Sequence, residues 1–479
     1  MKKWFTLITV IILCFSLFTF SPRSTAQSNE KQVHSQLIVF QENTSIRFDE
    51  VQKSITEQYP VSIQSIPEVA IIKLSSNNQD QLQAAIQFAQ KQYGSEIKAV
   101  GEDQIVSPPP IPAQLFTSQD PDAQLQSIKP ISKVNPTQVD LTKADLYQKW
   151  GWDIQKVTEN GQSYRKEAGN HQVKVAVIDS GFDFNHPDLK NNIVSQGKSF
   201  VPDVTDTLDR MGHGTMVAGG IAANGRLLGV GPELGLVPYK VFHQGGGESS
   251  WVIQAMIQAA KDGVDVINLS LGTFKSLHKP EDIAIIQAYQ RAVHFAAKKG
   301  VITVGAIGNE GFDLSDPKEV AEKLGNPGDE MIQLPSELHS VVAVSGTTKE
   351  DTRSSQSSYG IQVDLAAPSG DFHLDNINVN EMVLTTLPTY FPLSPINQAY
   401  DIPQGYTFMS GTSLAVSKVS GAAGVLIARY KERHHGKSPN PNYIKQILRH
   451  SASDLGDLGK DNQFGHGLVN VNRGLNLVR

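Results

Sequence analysis

The chain is almost without cysteine: one in 479 residues, Cys14, which falls inside the apolar run from Trp4 to Phe20. Disulfides, thiolate metal sites and thiol catalysis are therefore excluded for the rest of the protein. Charge is also sparse, with 19% Asp, Glu, Lys and Arg and a net of −6. Neither the basic footprint of a nucleic-acid binder nor the signature of a disordered chain is present. After Phe20 no second hydrophobic span of membrane-crossing length follows.

The apolar run itself is informative. Lys2 and Lys3 precede it, and Ser21-Pro22-Arg23-Ser24-Thr25-Ala26 follows, with small residues at Ser24 and Ala26. This pattern is that of a secretory signal peptide over 1–26, cleaved after Ala26. The alternative is an uncleaved membrane anchor, since the run is long for a signal core. Leu13 before Cys14 is too large for a lipoprotein cleavage site. A soluble, secreted protein is expected.

Over 27–106 the pattern reads strand, helix, strand, strand, helix, strand, ending in a strand from Glu96 to Val106. That order suits a small ferredoxin-like α+β unit. The stretch 107–140 holds Pro108-Pro109-Pro110, Pro112, Pro121, Pro130 and Pro136 without periodicity, and reads as an extended linker. From 141 to 479 short Val/Ile/Leu runs alternate with helical segments. Such runs predict an α/β domain with a doubly wound, mostly parallel sheet, in which ligands gather at the carboxyl ends of the strands. A small domain, a linker and a large domain form the layout of a propeptide ahead of an enzyme.

Polar groups follow several of the predicted strands. One strand runs into Asp179-Ser180-Gly181, another into Ser270-Leu271-Gly272, and a third leaves through Gly308-Asn309-Glu310-Gly311. His213 opens a helix of small residues after Gly212, and Ser413 opens a long apolar helix after Gly411-Thr412. A serine there sits at the positive end of a helix dipole, where negative charge can develop. Taken singly, Ser413 reads as a helix cap, Asp179 and Asn309 as turn residues, and His213 as a capping histidine. Jointly, carboxylate, imidazole and hydroxyl are the three parts of nucleophilic acyl transfer, in the chain order Asp, His, Ser.

The segments Val175 to Gly181, Gly212 to Gly219 and Gly411 to Ala415 resemble the three signature motifs of subtilisin-like serine proteases. The resemblance covers roughly Leu141 to Leu477. It implies that Asp179 orients the imidazole, His213 is general base and then acid, and Ser413 attacks the peptide carbonyl. Asn309 matches the family's oxyanion-hole asparagine. Ser270, Leu271 and Gly272, with Gly245, Gly246 and Gly247, match the two edge strands that pair with substrate backbone. The 27–106 unit is similar to the family's propeptide, an intramolecular inhibitor until it is cut off between Ser107 and Leu146. A peptide or protein substrate, a monomer and no cofactor are implied. Met216 stands where many members have a second histidine. Asn224 to Gly229 is shorter than the family's calcium loop, so no metal is assigned, with a weak calcium site left open at Asp188.

A narrower resemblance, in Trp150 to Thr158, Gly161 to Tyr164 and Phe200 to Pro202, is to the lantibiotic leader peptidases of Gram-positive bacteria. In that family the cut commonly follows arginine, which implies an acidic group in the first specificity pocket. Glu310, Asp313, Asp316, Asp329 and Glu330 are the candidates, against the alternative of a solvated insertion running to about Leu334. His434-His435 reads as an exposed pair at a helix end. The alternatives to leader processing are a broadly degradative protease and a catalytically silent binding protein on the same scaffold.

Overall fold

A computed structural model describes residues 33–42, 44–107, 138–243, 246–372 and 377–479. The expected signal segment, most of the proline-rich stretch and Gly245 lie outside the described residues.

The apolar runs of the large domain form a seven-stranded sheet. Its order is Leu365–Pro368, Val341–Thr347, Ile302–Ala306, Val266–Leu269, Lys174–Asp179, Gly235–Lys240, Lys198–Ser199. Every neighbouring pair is parallel. The first six strands in this order are buried, which is why they read as continuous Val/Ile/Leu runs. The seventh is a two-residue edge strand of Lys198 and Ser199, too short and polar to be predicted. On one face lie the helices His213–Ala222 and Thr412–Arg433, in one apolar cluster with the inner strands. On the other lie Ser249–Lys261 and Pro280–Lys298.

Thr412–Arg433 is buried from Thr412 to Ala428, on every side, as its lack of a polar stripe predicts. It begins one residue before Ser413. Beneath its first turns, Lys418 pairs with Asp153 at 2.8 Å, with the two side chains 0% and 2% exposed. Lys418 Nζ also donates to the Leu414 carbonyl at 3.1 Å. The pair fastens the helix Trp152–Thr158 under the helix that carries Ser413. Trp152 Nε1 adds a bond to the Met382 carbonyl at 2.9 Å.

Residues 34–102 form a four-stranded antiparallel sheet in the order Ser62–Ile66, Ile71–Ser76, His34–Phe40, Ile97–Glu102. Alternation along His34–Phe40 divides its work. Ile38 and Phe40 face the helices Phe48–Thr56 and Gln79–Tyr93, whereas Leu37 and Val39 pack with Ser249–Lys261 and Pro280–Lys298. The strand expected from Glu96 to Val106 is not continuous. At Asp103 and Gln104 the chain leaves its own sheet, because Asp103 Oδ1 and the Gln104 carbonyl accept the N–H groups of Ser250 and Ser249 at a helix start. Ile105–Val106 then pairs antiparallel with Gly247–Glu248 of the large domain.

Replacing Lys418 by Met strands the Asp153 carboxylate in the core. A loss of about 3–5 kcal/mol is expected in chemical denaturation of a Ser413→Ala background, where self-digestion cannot interfere.

Candidate active site

Strand ends and helix starts converge at the carboxyl edge of the sheet. Asp179 is the last residue of the strand Lys174–Asp179 and is fully buried. His213 Nδ1 lies 2.9 Å and 2.8 Å from its two carboxylate oxygens. With a carboxylate on that side, Nδ1 carries the proton and Nε2 is left as the acceptor. Nε2 is buried and has no hydrogen-bond partner. Burial pushes the His213 imidazole down, but the Asp179 charge and hydrogen bond, with Asp209 behind them, push it up further. The net is above the usual histidine value of 6.5.

Two buried charges that the sequence reading passed over hold this pair. Asp209 is fully buried. Its Oδ1 accepts from the Met211 and Gly212 N–H groups and its Oδ2 from the Thr215 N–H and hydroxyl, so it caps the helix that begins at His213. Ser180 Oγ donates to Asp209 at 2.8 Å and accepts from the Gly214 N–H at 2.8 Å, linking the Asp179 turn to the His213 turn. Asp209 stands three residues before the N-cap Gly212, outside the usual cap position, so no local pattern marks it. Lys240 gave no signal either, because it ends an otherwise apolar strand. Its ammonium donates to the carbonyls of Ser180 and Leu208, and burial, offset by Asp209, lowers it to about 8.

Ser413 lies in the first turn of its helix, where N–H groups have no carbonyl partner within the helix. Its hydroxyl donates to the Ser270 carbonyl at 3.3 Å, and Ser270 Oγ returns a bond to the Ser413 carbonyl at 3.1 Å. Ser413 and His213 are therefore not hydrogen-bonded to each other. Asn309 sits beside the serine turn. Its Oδ1 accepts from the Thr412 N–H and hydroxyl at 2.8 Å and 2.9 Å, which fixes the amide with Nδ2 as the remaining donor. Gly411, at φ 142°, brings the turn against that amide: a Cβ there would fall 3.5 Å from Asn309 Nδ2.

The proposed substrate edges divide. Gly247 pairs with Val106 and Gly272 bridges to Ser107, so the chain's own segment 105–107 lies between them. Gly246 adjoins the same segment, packed against Ile105 and Val106. Ser270 and Leu271 are buried, and Ser270 turns toward Ser413 rather than the groove. Of the five acidic candidates, Asp316 caps the helix Pro317–Lys323, Asp313 accepts from the Ser315 N–H, Asp329 accepts from Ser276 Oγ, and Glu330 is 3.6 Å from Lys318. Glu310 has no ion pair among the described residues; Ser358 Oγ approaches it at 3.5 Å, and burial pushes its carboxyl up against the pull of the nearby backbone N–H groups. His434 is not free at its helix end, since it stacks on Tyr430 at 3.8 Å.

Asp188 does not fit a calcium ligand. Its Oδ1 accepts from the Arg226 N–H at 3.1 Å, and its Oδ2 from the Leu227 N–H at 2.8 Å and the Tyr406 hydroxyl at 2.9 Å. Among the described residues no group of three His, Asp, Glu or Cys could hold a metal ion.

Residues 170–467 match the subtilase family. The chain belongs to that family. This subtilase is 33% identical over 319 residues to the epidermin leader peptide-processing serine protease of Staphylococcus epidermidis, covering 60% of this chain and 66% of that one. It is 29% identical over 372 residues to the nisin leader peptide-processing serine protease of Lactococcus lactis, covering 70% of this chain and 49% of that one. The subtilase thus spans just under two thirds and about half of those relatives' lengths. Among solved structures, a lanthipeptide protease superposes with a TM-score of 0.64 at 35% identity, covering 73% of this chain and 100% of that one. The Staphylococcus aureus epidermin leader peptide processing protease superposes with a TM-score of 0.72 at 26% identity over 93% of this subtilase and 98% of that chain.

Two outcomes test the site of this subtilase. Asn309→Ala lowers kcat by about 10²–10³, the cost of losing the corresponding donor in subtilisin, with KM little changed. The raised His213 value places the acid limb of kcat/KM above pH 6.5. A rate already flat through pH 5 to 6 would remove His213 as the base.

Proposed function

We propose that the protein is an exported serine endopeptidase that removes the leader peptide from a lantibiotic precursor. The observation that carries the reading is the joint placement of the Asp179–His213 pair, Ser413 and the oriented Asn309 amide at one sheet edge. The likeness to leader-processing proteases supports the narrower role.

In this reading Ser413 Oγ adds to the scissile carbonyl while His213 Nε2 takes its proton. Asp179 holds the imidazolium through Nδ1. The oxyanion receives Asn309 Nδ2 and the Ser413 backbone N–H. The C–N bond then breaks as Nε2 returns the proton to the leaving amine, and water clears the acyl group by the reverse sequence. No cofactor enters. The Ser413–His213 hydrogen bond forms as substrate displaces the serine from the Ser270 carbonyl, since catalytic contacts often tighten only in the complex.

The N-terminal unit acts as an intramolecular inhibitor, and the strand pairing of 105–107 with Gly247 and Gly272 supports that role. Backbone pairing of this kind gives affinity with little demand on side chains. A basic residue before the cut is assigned to Glu310, which follows Asn309 and has no ion pair. A signal segment over 1–26 and a soluble monomer complete the proposal. Among the described residues no helix is long and apolar enough to cross a membrane.

Purified Ser413→Ala protein is expected to keep its N-terminal unit covalently attached, by intact-mass measurement, whereas wild type loses it. Against a proteome-derived peptide library, wild type is expected to cut after one basic residue in a narrow context. Scattered cuts after large apolar residues would favour a degradative enzyme instead.

A further inference from the structure

A small buried charge cluster joins the N-terminal unit to the edge of the substrate groove. Lys73, on the strand Ile71–Ser76, holds its ammonium against Glu248, 3.1 Å from Asp103 and 3.2 Å from Ser250 Oγ. The three ionic side chains are 8%, 15% and 0% exposed for Lys73, Glu248 and Asp103. Lys73 and Asp103 belong to the N-terminal unit, whereas Glu248 belongs to the groove, one residue beyond Gly247. Burial and the Asp103 charge push the Glu248 carboxyl up, and Lys73 opposes them. The cation beside Glu248 is thus supplied by the part of the chain that departs on activation.

The strand register says what can replace it. Ile105 stands directly opposite Glu248, and Val106 opposite Gly247. Directly opposed residues of an antiparallel pair project to the same face with Cβ atoms about 4.5–5.5 Å apart. Successive residues alternate between faces, and accordingly Ile105 is 62% exposed while Val106 is fully buried. A substrate strand in this groove therefore sets one side chain alongside Glu248 and the next into an apolar pocket. Isoleucine suffices in the N-terminal unit because Lys73 already occupies the carboxylate.

We propose that Glu248 is a specificity-determining residue that pairs with a lysine or arginine of the substrate at the position Ile105 occupies, immediately before a buried apolar residue. Lys73 is then the inhibitor's substitute for the substrate's cation. The inference rests on the reading that the N-terminal unit is removed on activation.

The full chain is expressed, allowed to mature and incubated with a proteome-derived peptide library, and the cleaved bonds are aligned by mass spectrometry. Besides the basic residue at the cut itself, wild type is expected to enrich Lys or Arg at one further upstream position, the one immediately followed by Val, Ile or Leu. Glu248→Gln reduces that enrichment about tenfold, the scale of one charged hydrogen bond. Glu248→Lys replaces it with Asp or Glu. Glu248→Gln leaves the Lys73–Asp103 pair balanced, and should it fail to fold, Glu248→Gln combined with Lys73→Met and Asp103→Asn removes all three charges together and is read in the same way. Enrichment absent from wild type, or unchanged in Glu248→Gln, overturns the proposal. Intact-mass measurement separates the two readings. Peptide cleavage by a chain that still carries its N-terminal unit overturns removal and this inference together, whereas a released unit without a cation preference overturns this inference alone.

Discussion

The helices that carry His213 and Ser413 can reach one site only because small residues line their approach. A Cβ on Gly220 would collide with Ser417 of the longer helix, and one on Gly219 with Thr386 of the short strand Val383–Thr386. Gly421 and Gly424 meet Val230 and Leu234 in the same way. The ten-residue helix His213–Ala222 carries three glycines, each weakening it by about 0.5–1 kcal/mol. That cost is offset by burial on every side, and it sets the spacing on which the Asp179–His213 contact and the serine turn depend.

Polar order at the site is built from the back rather than from the groove. Asp209 caps the His213 helix, Ser180 ties that cap to the Asp179 turn, and Lys240 closes the carbonyls of Ser180 and Leu208. A charge-assisted hydrogen bond out of contact with water is strong, and a partly satisfied buried network is costly. Completion of this set therefore holds the imidazole in one tautomer and one orientation before any substrate arrives. Elsewhere in the large domain, both Asp188 oxygens accept hydrogen bonds, from the Arg226 and Leu227 N–H groups and the Tyr406 hydroxyl, and so tie three segments together.

Much of this was legible in the sequence, for reasons specific to each element. The six longer strands of the large sheet are buried and so appear as uninterrupted apolar runs, and the helix Thr412–Arg433 shows its burial by lacking a polar stripe. Asp179, His213, Asn309 and Ser413 stand out because each follows a strand or opens a helix beside glycine. Lys198–Ser199 was illegible because an edge pair of two polar residues has no pattern. Lys240, Asp153 and Lys418 were illegible because a buried charge is defined by its partner, which lies far away in sequence. The break at Asp103 and Gln104 was missed for the same reason: the groups that end the strand belong to a helix about 145 residues on.

The sheet of the N-terminal unit has two apolar faces, and only one is covered by its own helices. Leu37, Val39 and Ile71 share one apolar cluster with Val252, Ile253 and Ala284 of the large domain. Separation bares both halves of that contact to water, and a four-stranded sheet stripped on one side is a poor fold by itself. If the unit is released as proposed, it would tend to unfold and become a substrate in its turn. The proposed activation would then acquire a direction, as a ratchet that consumes its own pawl.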